Sequence, residues 1–496
     1  MHLRKRSSGI HLHIASLPSN FGIGDLGPKS FEFIELLYET KQNFWEILPV
    51  TPTREELGNS PYLGGSSFAG NTLLISPDLL EEEDLLNLSD SHPTQGPQID
   101  YDLAREVKHK MMKQAFKKFQ ENFQDYKYEF DTFCSENKRW LGNYTLYKTL
   151  RENIGKPWYL WPPPLRDREG EALATRRRRF KESIDFHRFE QFIFYRQWSK
   201  LKKFCNDRGV KIIGDLPFYV NHDSADAWVH PEMFKLDEEK QPLFLSGVPP
   251  DYFSDTGQLW GTPVYDWERL RDTGFQWWID RIRHQLEMFD ALRLDHFRGF
   301  SAYWQVPGEA ETAEEGSWEE VPTHDFFKAL ARYLPTLPFV AEDLGVITAD
   351  VRETRNSLEI PGMKVLLFAF DGSPDNPYLP HNHTRNSVVL TGTHDTNTVK
   401  GWFLESSSET RQFLNDYLGR KPSEKEISWE LIRLAMSSVS NLSLIPLQDV
   451  LSLGSEARMN YPDKSGNNWR WKVTDDQLEG DPFIRLKEMT ETFGRD

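Results

Sequence analysis

The sequence has few cysteines and no long apolar run. Only Cys134 and Cys205 are cysteines among 496 residues, which is too few for a disulfide framework and favours a reducing cytoplasm. No apolar run approaches the roughly 20 residues that a membrane-spanning helix needs. The chain does not open with a basic segment followed by an apolar stretch, so we expect no secretory signal and no membrane partner.

The sequence also lacks a surplus of basic residues. Its net charge of −17 argues against nucleic acid or anionic lipid as a partner and fits a neutral substrate. Aromatic residues are abundant, with 16 Trp, 17 Tyr and 33 Phe. Aromatic rings stack on sugar faces, but they also fill large cores, so both interpretations stay open at this point.

Short β-rich runs alternate with helical patterns along the chain. This alternation predicts an α/β fold with a parallel sheet, and eight such units indicate a TIM (β/α)8 barrel. The rival, a doubly wound sheet, usually has a Gly-rich phosphate loop after its first strand, and no G-x-G-x-x-G occurs here. The predicted strands are 9–14, 44–50, 210–216, 290–295, 338–343, 364–370, 387–393 and 442–448. The predicted helices are 28–40, 188–208, 274–289, 325–333, 348–358 and 427–439.

Two stretches are too long to be simple connections of a barrel. Residues 52–187 contain their own helical patterns, near 103–123 and 144–153, and residues 217–265 are rich in Pro, Gly and aromatics. We therefore expect one catalytic domain over 1–496 with two insertions, the first mostly helical and the second rich in loops. Insertions in the βα loops of a barrel build walls around its site, and the second is expected to cover the groove.

Acidic residues stand at the carboxyl ends of three predicted strands: Asp295 ends 290–295, Glu342 is next to last in 338–343, and Asp395 lies two residues after 387–393. A single Asp at a strand end often only caps the next helix. Three carboxylates at one rim, two of them beside Arg293 and His394, are costly unless chemistry uses them. Retaining glycosyl transfer needs this set, because one carboxylate attacks the anomeric carbon while a second, protonated one donates to the leaving oxygen. A third stabilises positive charge in the transition state.

The order and flanks of these motifs resemble the α-amylase superfamily, and within it the 4-α-glucanotransferases of the amylomaltase or disproportionating-enzyme type. The resemblance spans nearly the whole chain. Its most specific part is Val248–Ser254 followed by Gly257–Gly261. The other matching stretches are Ser8–Ile10, Ser16–Ser19, Phe21–Gly27, Ser60–Tyr62, Ser67–Asn71, Ile213–Pro217, Met459–Asn460 and Asn468–Trp471.

The resemblance implies a role for each matching site residue. Asp295 would be the nucleophile, Glu342 the acid/base and Asp395 the transition-state stabiliser. Arg293 would keep Asp295 ionised, and His394 would bond the sugar at the cleavage point. The residues that would line the glucan groove are Asp215, Ser60, Tyr62, Asp251, Tyr252, Phe253, Gln258, Trp260, Phe368 and Asn468.

The implied reaction moves α-1,4-glucan segments between malto-oligosaccharide donors and acceptors without a cofactor or a metal. A transferase must keep water from its intermediate, which typically takes a lid. Gly247–Ser254 is the candidate, with Tyr252 and Phe253 covering the groove and Asp251 bonding acceptor hydroxyls. We expect a monomer or homodimer in the cytoplasm, or in the plastid stroma for a plant protein.

Three other functions compete with this interpretation. A hydrolase of the same superfamily would form the same intermediate, so the three carboxylates do not separate it from a transferase. A glycan-binding protein without activity would tolerate the loss of any of them, yet all three are present. His11-Leu12-His13 in the first strand, where the family has Leu and then His-Pro-Thr, resembles the metal pair of amidohydrolase-type barrels. The further ligands of such a site are missing from the predicted strand ends.

Overall fold

The computed structural model describes residues 3, 5–88, 96–250, 255–345, 347–462 and 466–496. The strands of these segments are β1 (Ser7–His11), β2 (Phe44–Glu46), β3 (Lys211–Leu216), β4 (Phe244–Val248), β5 (Gln258–Pro263), β6 (Ala291–Leu294), β7 (Ala302–Pro307), β8 (Ser317–Glu320), β9 (Phe339–Ala341), β10 (Gly362–Val365), β11 (Ser387–Leu390) and β12 (Leu442–Pro446).

The helices lie mostly between these strands. They are α1 (Pro28–Glu39), α2 (Pro77–Glu82), α3 (Tyr101–Glu121), α4 (Phe123–Glu136), α5 (Leu141–Ile154), α6 (Pro163–Arg166), α7 (Gly170–Arg179), α8 (Lys181–Asp207), α9 (Ala225–Val229), α10 (Trp267–Asp272), α11 (Gln276–Met288), α12 (Thr323–Ala331), α13 (Ala349–Ser357), α14 (Val399–Glu405), α15 (Ser408–Leu418), α16 (Ile427–Ser437), α17 (Leu447–Val450) and α18 (Asp481–Thr492). Among the described residues, no helix is long and apolar enough to cross a membrane.

Eight parallel strands close into a barrel in the order β1-β12-β11-β10-β9-β6-β3-β2. Each corresponds to one predicted strand, so the TIM barrel prediction is confirmed. Apart from β3, which ends at Leu216 as predicted, the barrel strands stop earlier than predicted at their carboxyl ends. For example, β10 ends at Val365 because Leu366–Phe368 turn into a 3-10 helix. Parallel strands all place their carboxyl ends at the same mouth of the barrel, so the residues that follow them meet there.

The alternation of side chains along the strands divides the core in two. In β11, Val388 and Leu390 belong to the cluster inside the barrel, whereas Val389 between them packs in the larger cluster outside it. β12 repeats the pattern, with Leu442 and Leu444 inside and Ile445 outside. This is the period of two that a pleated strand imposes, and apolar residues on both faces fit strands covered by helices.

The two long insertions both contain regular structure. Between β2 and β3, the 27-residue helix α8 packs against α3, α4 and α5 through aromatic side chains such as Phe119 and Phe189. Residues 217–265 contain α9, β4 and β5, which sequence reasoning treated as loops. These two strands join β7 and β8 in a second, antiparallel sheet ordered β5-β4-β7-β8.

Arg495 contacts the backbone where β1 and β12 begin. The guanidinium of Arg495 is fully buried and donates to six backbone carbonyls. These belong to Ser7 in β1, to residues of α16 and to the segment that leads into β12: the acceptors are Ser7, Ala435, Met436, Ser438, Ser440 and Asn441. Arg495 therefore holds the first and last barrel strands together.

Candidate active site

Arg293 links two carboxylates at the carboxyl end of β6. It lies within the strand, and Asp295 follows the strand directly. Its Nη1 donates to both carboxylate oxygens of Asp215, at 2.8 and 2.7 Å, and to Oδ1 of Asp295 at 3.0 Å. Burial opposes the charge of Arg293, but Asp215 and Asp295 outweigh it and raise the pKa of Arg293 well above its usual value. Arg293 is therefore a fixed cation beside Asp295.

Glu342, directly after β9, is held by backbone amides alone among its described hydrogen bonds. The amide of His296 donates to its Oε2 at 2.9 Å, and the amide of Leu344 donates to its Oε1, also at 2.9 Å. His296 has a φ of 48°, in the left-handed region that non-glycine residues seldom adopt. Burial and the charge of Asp295 raise the pKa of Glu342 to about 7, against the effects of Arg293 and the two amides. Glu342 is thus ready to carry a proton near neutral pH.

Asp395 lies in the loop after β11, and its pKa is shifted downward, opposite to that of Glu342. Its Oδ1 accepts from Nδ2 of Asn460 at 2.7 Å, and its Oδ2 is 3.3 Å from Nε2 of His394. Burial disfavours its charge, but His394, Asn460 and Arg293 overcome that effect and hold the pKa of Asp395 below its usual range. Asp395 therefore stays ionised while Glu342 is partly protonated.

Tyr62 connects the two sides of the site. Its hydroxyl donates to Oδ2 of Asp215 at 2.6 Å and lies 2.8 Å from Nε2 of His394. Its ring stacks on that of His394, with centroids 5.3 Å apart, and tilts toward Trp469. The predicted residues Arg293, Asp215, Tyr62 and His394 thus form one network with Asp295 and Asp395.

The other predicted groove residues lie around this network. Trp260 meets the ring of His296 edge-on with centroids 4.8 Å apart, and its Nε1 donates to Gln258. Ser60 accepts a hydrogen bond from the amide of Tyr62. Trp260 therefore lies beside His296, which bonds Glu342, and Gln258 lies beside Trp260. Ser60 lies beside Tyr62, which bonds Asp215.

Two predicted residues belong to the loops that flank the site. Phe368 packs against Tyr378, and Asn468 bonds the backbone of Tyr461, next to Asn460. Asp251, Tyr252 and Phe253 lie outside the described residues, so their place in a lid stays a prediction.

Sequence reasoning missed Asn460 and His296 as neighbours of the carboxylates. Asn460 was part of a matching stretch, but nothing in one sequence indicated that it bonds Asp395. His11 makes contacts other than those of a metal ligand. Its Nδ1 pairs with Glu46 at 2.9 Å, and its ring stacks against His394. Within the described segments, no group of three His, Cys, Asp or Glu side chains has the arrangement of a metal site.

The fold and the site define a class of protein: a TIM barrel with three carboxylates, Asp295, Glu342 and Asp395, and the buried Arg293 at its mouth. Comparison with known proteins narrows this class. The model of the 4-alpha-glucanotransferase family matches residues 12–477. The 4-alpha-glucanotransferase of Aquifex aeolicus is 46% identical over 99% of this chain and 100% of its own length. The chloroplastic/amyloplastic 4-alpha-glucanotransferase of Solanum tuberosum is 39% identical over 99% of this chain and 87% of its own.

A solved structure supports the same assignment. The amylomaltase from Streptococcus agalactiae, in complex with acarbose, superposes with a TM-score of 0.95 at 38% identity and covers 99% of this chain and 100% of its own. The chain belongs to the 4-α-glucanotransferase family. The resemblance in the sequence motifs is thereby confirmed, and so are the enzyme class and the transferase activity that it implies.

Proposed function

We propose that this enzyme transfers α-1,4-glucan segments by a retaining double displacement, with a covalent glucosyl intermediate on Asp295. The observation that carries the proposal is that the pKa values of two carboxyls in one site shift in opposite directions. The pKa of Glu342 is raised to about 7, and the pKa of Asp395 is held below its usual range. Carboxyl groups whose environments drive their pKa values apart are assigned to different roles, one as acid and one as a lasting anion.

In the first step, Asp295 attacks the anomeric carbon of the donor while Glu342 gives its proton to the glycosidic oxygen. The bond between that carbon and oxygen breaks, the reducing-end segment leaves as an alcohol, and the rest is esterified to Asp295. Arg293 donates to Asp295 at 3.0 Å and places a fixed positive charge beside the nucleophile. Glu342 is left as a carboxylate.

In the second step, Glu342 takes the proton from the 4-hydroxyl of an acceptor. The resulting oxygen attacks the anomeric carbon, a new α-1,4 bond forms, and Asp295 leaves as a carboxylate. Both steps pass through a state with positive charge at the anomeric centre. The permanent charge of Asp395, fixed by Asn460 at 2.7 Å, stabilises that state in each direction.

We assign the remaining predicted residues to sugar binding. His394, Asp215 and Tyr62 present hydrogen-bonding groups beside Asp295 and Asp395 and would hold the sugar at the cleavage point. Trp260 and Phe368 offer ring faces, and Ser60, Gln258 and Asn468 offer polar groups, for the flanking glucose units. The acarbose complex of the amylomaltase from Streptococcus agalactiae supports a groove for glucan-like ligands. We also retain the hypothesis of a monomer or homodimer, in the cytoplasm or a plastid stroma.

Trapping the intermediate tests the two main assignments. Glu342→Gln should react with α-glucosyl fluoride, whose leaving group needs no proton, and then stall because no base activates the acceptor. Intact mass should rise by one glucosyl group, located on Asp295 by peptide mapping. The matched control Asp295→Asn should form no adduct and keep less than about 1% of wild-type turnover on maltotriose, since an amide is a poor nucleophile. An adduct on another residue, or an active Asp295→Asn enzyme, would contradict the proposal.

A further inference from the structure

A buried carboxylate outside the site fastens the loop that carries Asp395. Asp449 lies in α17, directly after the last barrel strand, and is 1% exposed. Its Oδ2 accepts from the hydroxyl of Thr391 at 2.5 Å, and its Oδ1 accepts from the amide of Val399 at 2.8 Å. Thr391 begins the loop after β11, and Val399 ends it as the first residue of α14.

Asp395 lies midway between these two fastened ends. The loop between them also contains His394, so the positions of both His394 and Asp395 depend on the conformation of this loop. Because one carboxylate bonds both ends of the loop, it fixes the distance between them. A shift of either end would move Asp395 away from Asn460, which is on a separate segment.

The cost of burying Asp449 indicates that its position matters. Burial raises the pKa of Asp449 to about 6, and the hydrogen bonds from Thr391 and Val399 oppose that effect. The neutral donors, rather than a neighbouring cation, are what favour its charge among the described residues. A buried carboxyl held only in this way is expensive to keep, and an apolar side chain would fill the same space without that cost.

We propose that Asp449 is a positioning residue for transglycosylation, which clamps Thr391 and Val399 and thereby places Asp395 against the reacting sugar. The proposal rests on the role given to Asp395 under the proposed function. Asp449 itself does not touch the substrate in this account. It acts through the loop, so weakening the clamp lowers transition-state stabilisation more than it lowers donor binding.

The test removes one of the two hydrogen bonds that Asp449 accepts, the one from Thr391, with little change in side-chain volume. Thr391→Val removes the hydroxyl that bonds Asp449, whereas Thr391→Ser keeps it. Thr149→Val is the matched control, because Thr149 is equally buried but bonds only a carbonyl of its own helix, in the helical insertion. Asp449→Asn is measured alongside it, as a second variant that weakens the clamp from its other side. Thermal unfolding shows which proteins are folded at the assay temperature.

Steady-state kinetics on maltotriose and on α-glucosyl fluoride then separate positioning from general stability. Thr391→Val should lower kcat about 10- to 100-fold, the range that displacement of a reacting group by about 1 Å produces. Both donors should lose the same factor, because Asp395 serves each step, and the KM for maltotriose should change less than about threefold. Thr391→Ser should restore most of the rate, and Thr149→Val should match wild type.

Asp395→Asn distinguishes failure of this inference from failure of the proposed function. If Asp395→Asn is active, the proposed role of Asp395 is wrong, whatever the clamp variants do. If Asp395→Asn is inactive while folded Thr391→Val and Asp449→Asn both turn over like Thr149→Val, the clamp does not position Asp395. A loss confined to maltotriose, with full activity on the fluoride, would also overturn the inference, because it would place the effect on proton donation by Glu342.

Discussion

The pH dependence of the first step follows from the raised pKa of Glu342. If Glu342 is the general acid, the enzyme must hold its proton to cleave a donor with an alcohol leaving group. The environment raises this pKa from the usual 4.5 to about 7 through burial and the charge of Asp295. The value of kcat/KM for maltotriose should therefore fall on the alkaline side, with a midpoint near pH 7.

The size of the effect can be worked from that pKa. At pH 6, a group with a pKa of about 7 is about 90% protonated, whereas one with the usual pKa of 4.5 is about 3% protonated. The raised pKa thus gives about a 30-fold larger fraction of competent enzyme at pH 6. Above pH 8, kcat/KM for maltotriose should drop about tenfold for each further unit.

The assay compares two donors in the same buffers from pH 5 to pH 9. Maltotriose needs protonation of its leaving group, but α-glucosyl fluoride does not, so only the first should show the alkaline fall near pH 7. Wild-type and Glu342→Gln proteins are measured side by side. If both donors fall together with the same midpoint, the titrating group is not the acid, and the assignment of Glu342 is refuted.

The same shift predicts a pH-dependent change in stability. Because the pKa of Glu342 is higher in the folded protein than in the unfolded chain, its contribution is fully present below pH 4.5 and lost as the pH rises through about 7. The loss has a ceiling of about 3 kcal/mol. Glu342→Gln avoids it, so the variant should gain in Tm over wild type above pH 7 and show no such gain near pH 4.

Three further changes test other parts of the structure. Asn460→Ala removes a hydrogen bond to the charged Asp395, worth about 1.5–3 kcal/mol, so kcat should fall about 10- to 100-fold. The pKa of Asp395 should also rise, so the decrease of kcat at low pH should move to higher pH; an unmoved decrease would contradict this. Arg495→Ala removes six hydrogen bonds to backbone carbonyls, two of which, those of Met436 and Ser438, also accept from Arg6. It should lower the free energy of unfolding by about 3 kcal/mol or more, seen as a lower Tm with normal turnover in the folded enzyme; an unchanged Tm would show that Arg495 does not stabilise the barrel. Treatment with EDTA should leave activity intact, since the proposed groups act as bare carboxylates, and a loss restored by one divalent ion would revive the His11 and His13 hypothesis.

The barrel was predictable from the sequence because its strands are short, apolar and regularly followed by helices. The positions of Asp295 and Glu342 were predictable for the same reason, since a residue directly after a parallel strand lies at the mouth, and Asp395 lies in the loop that follows β11. The ends of the strands were less so. Leu366–Phe368 are apolar enough to extend β10, yet they turn away as a 3-10 helix.

Contacts between distant segments were beyond the reach of periodicity. Asn460 bonds Asp395 across 65 positions of the chain, and Asp449 reaches Thr391 across 58. A single sequence reports what lies next to a residue along the chain and which face of an element it occupies. It does not report which loops meet at the mouth of a barrel, so His394 was evident as a neighbour of Asp395, but Asn460 required the structure.

The hydrogen bonds of the site separate Glu342 from the other charged side chains. A continuous line of side chains runs from the proposed nucleophile to the proposed stabiliser, through Asp295, Arg293, Asp215, Tyr62, His394 and Asp395. In this line Arg293 lies between Asp295 and Asp215, and His394 lies beside Asp395 and lowers its pKa against the effect of burial. Glu342 is bound instead by amides of His296 and Leu344, which do not titrate. Among the described residues no side chain bonds Glu342, so its proton can leave and return in each cycle without a change of charge in a bonded side chain, which suits a single acid/base serving both steps.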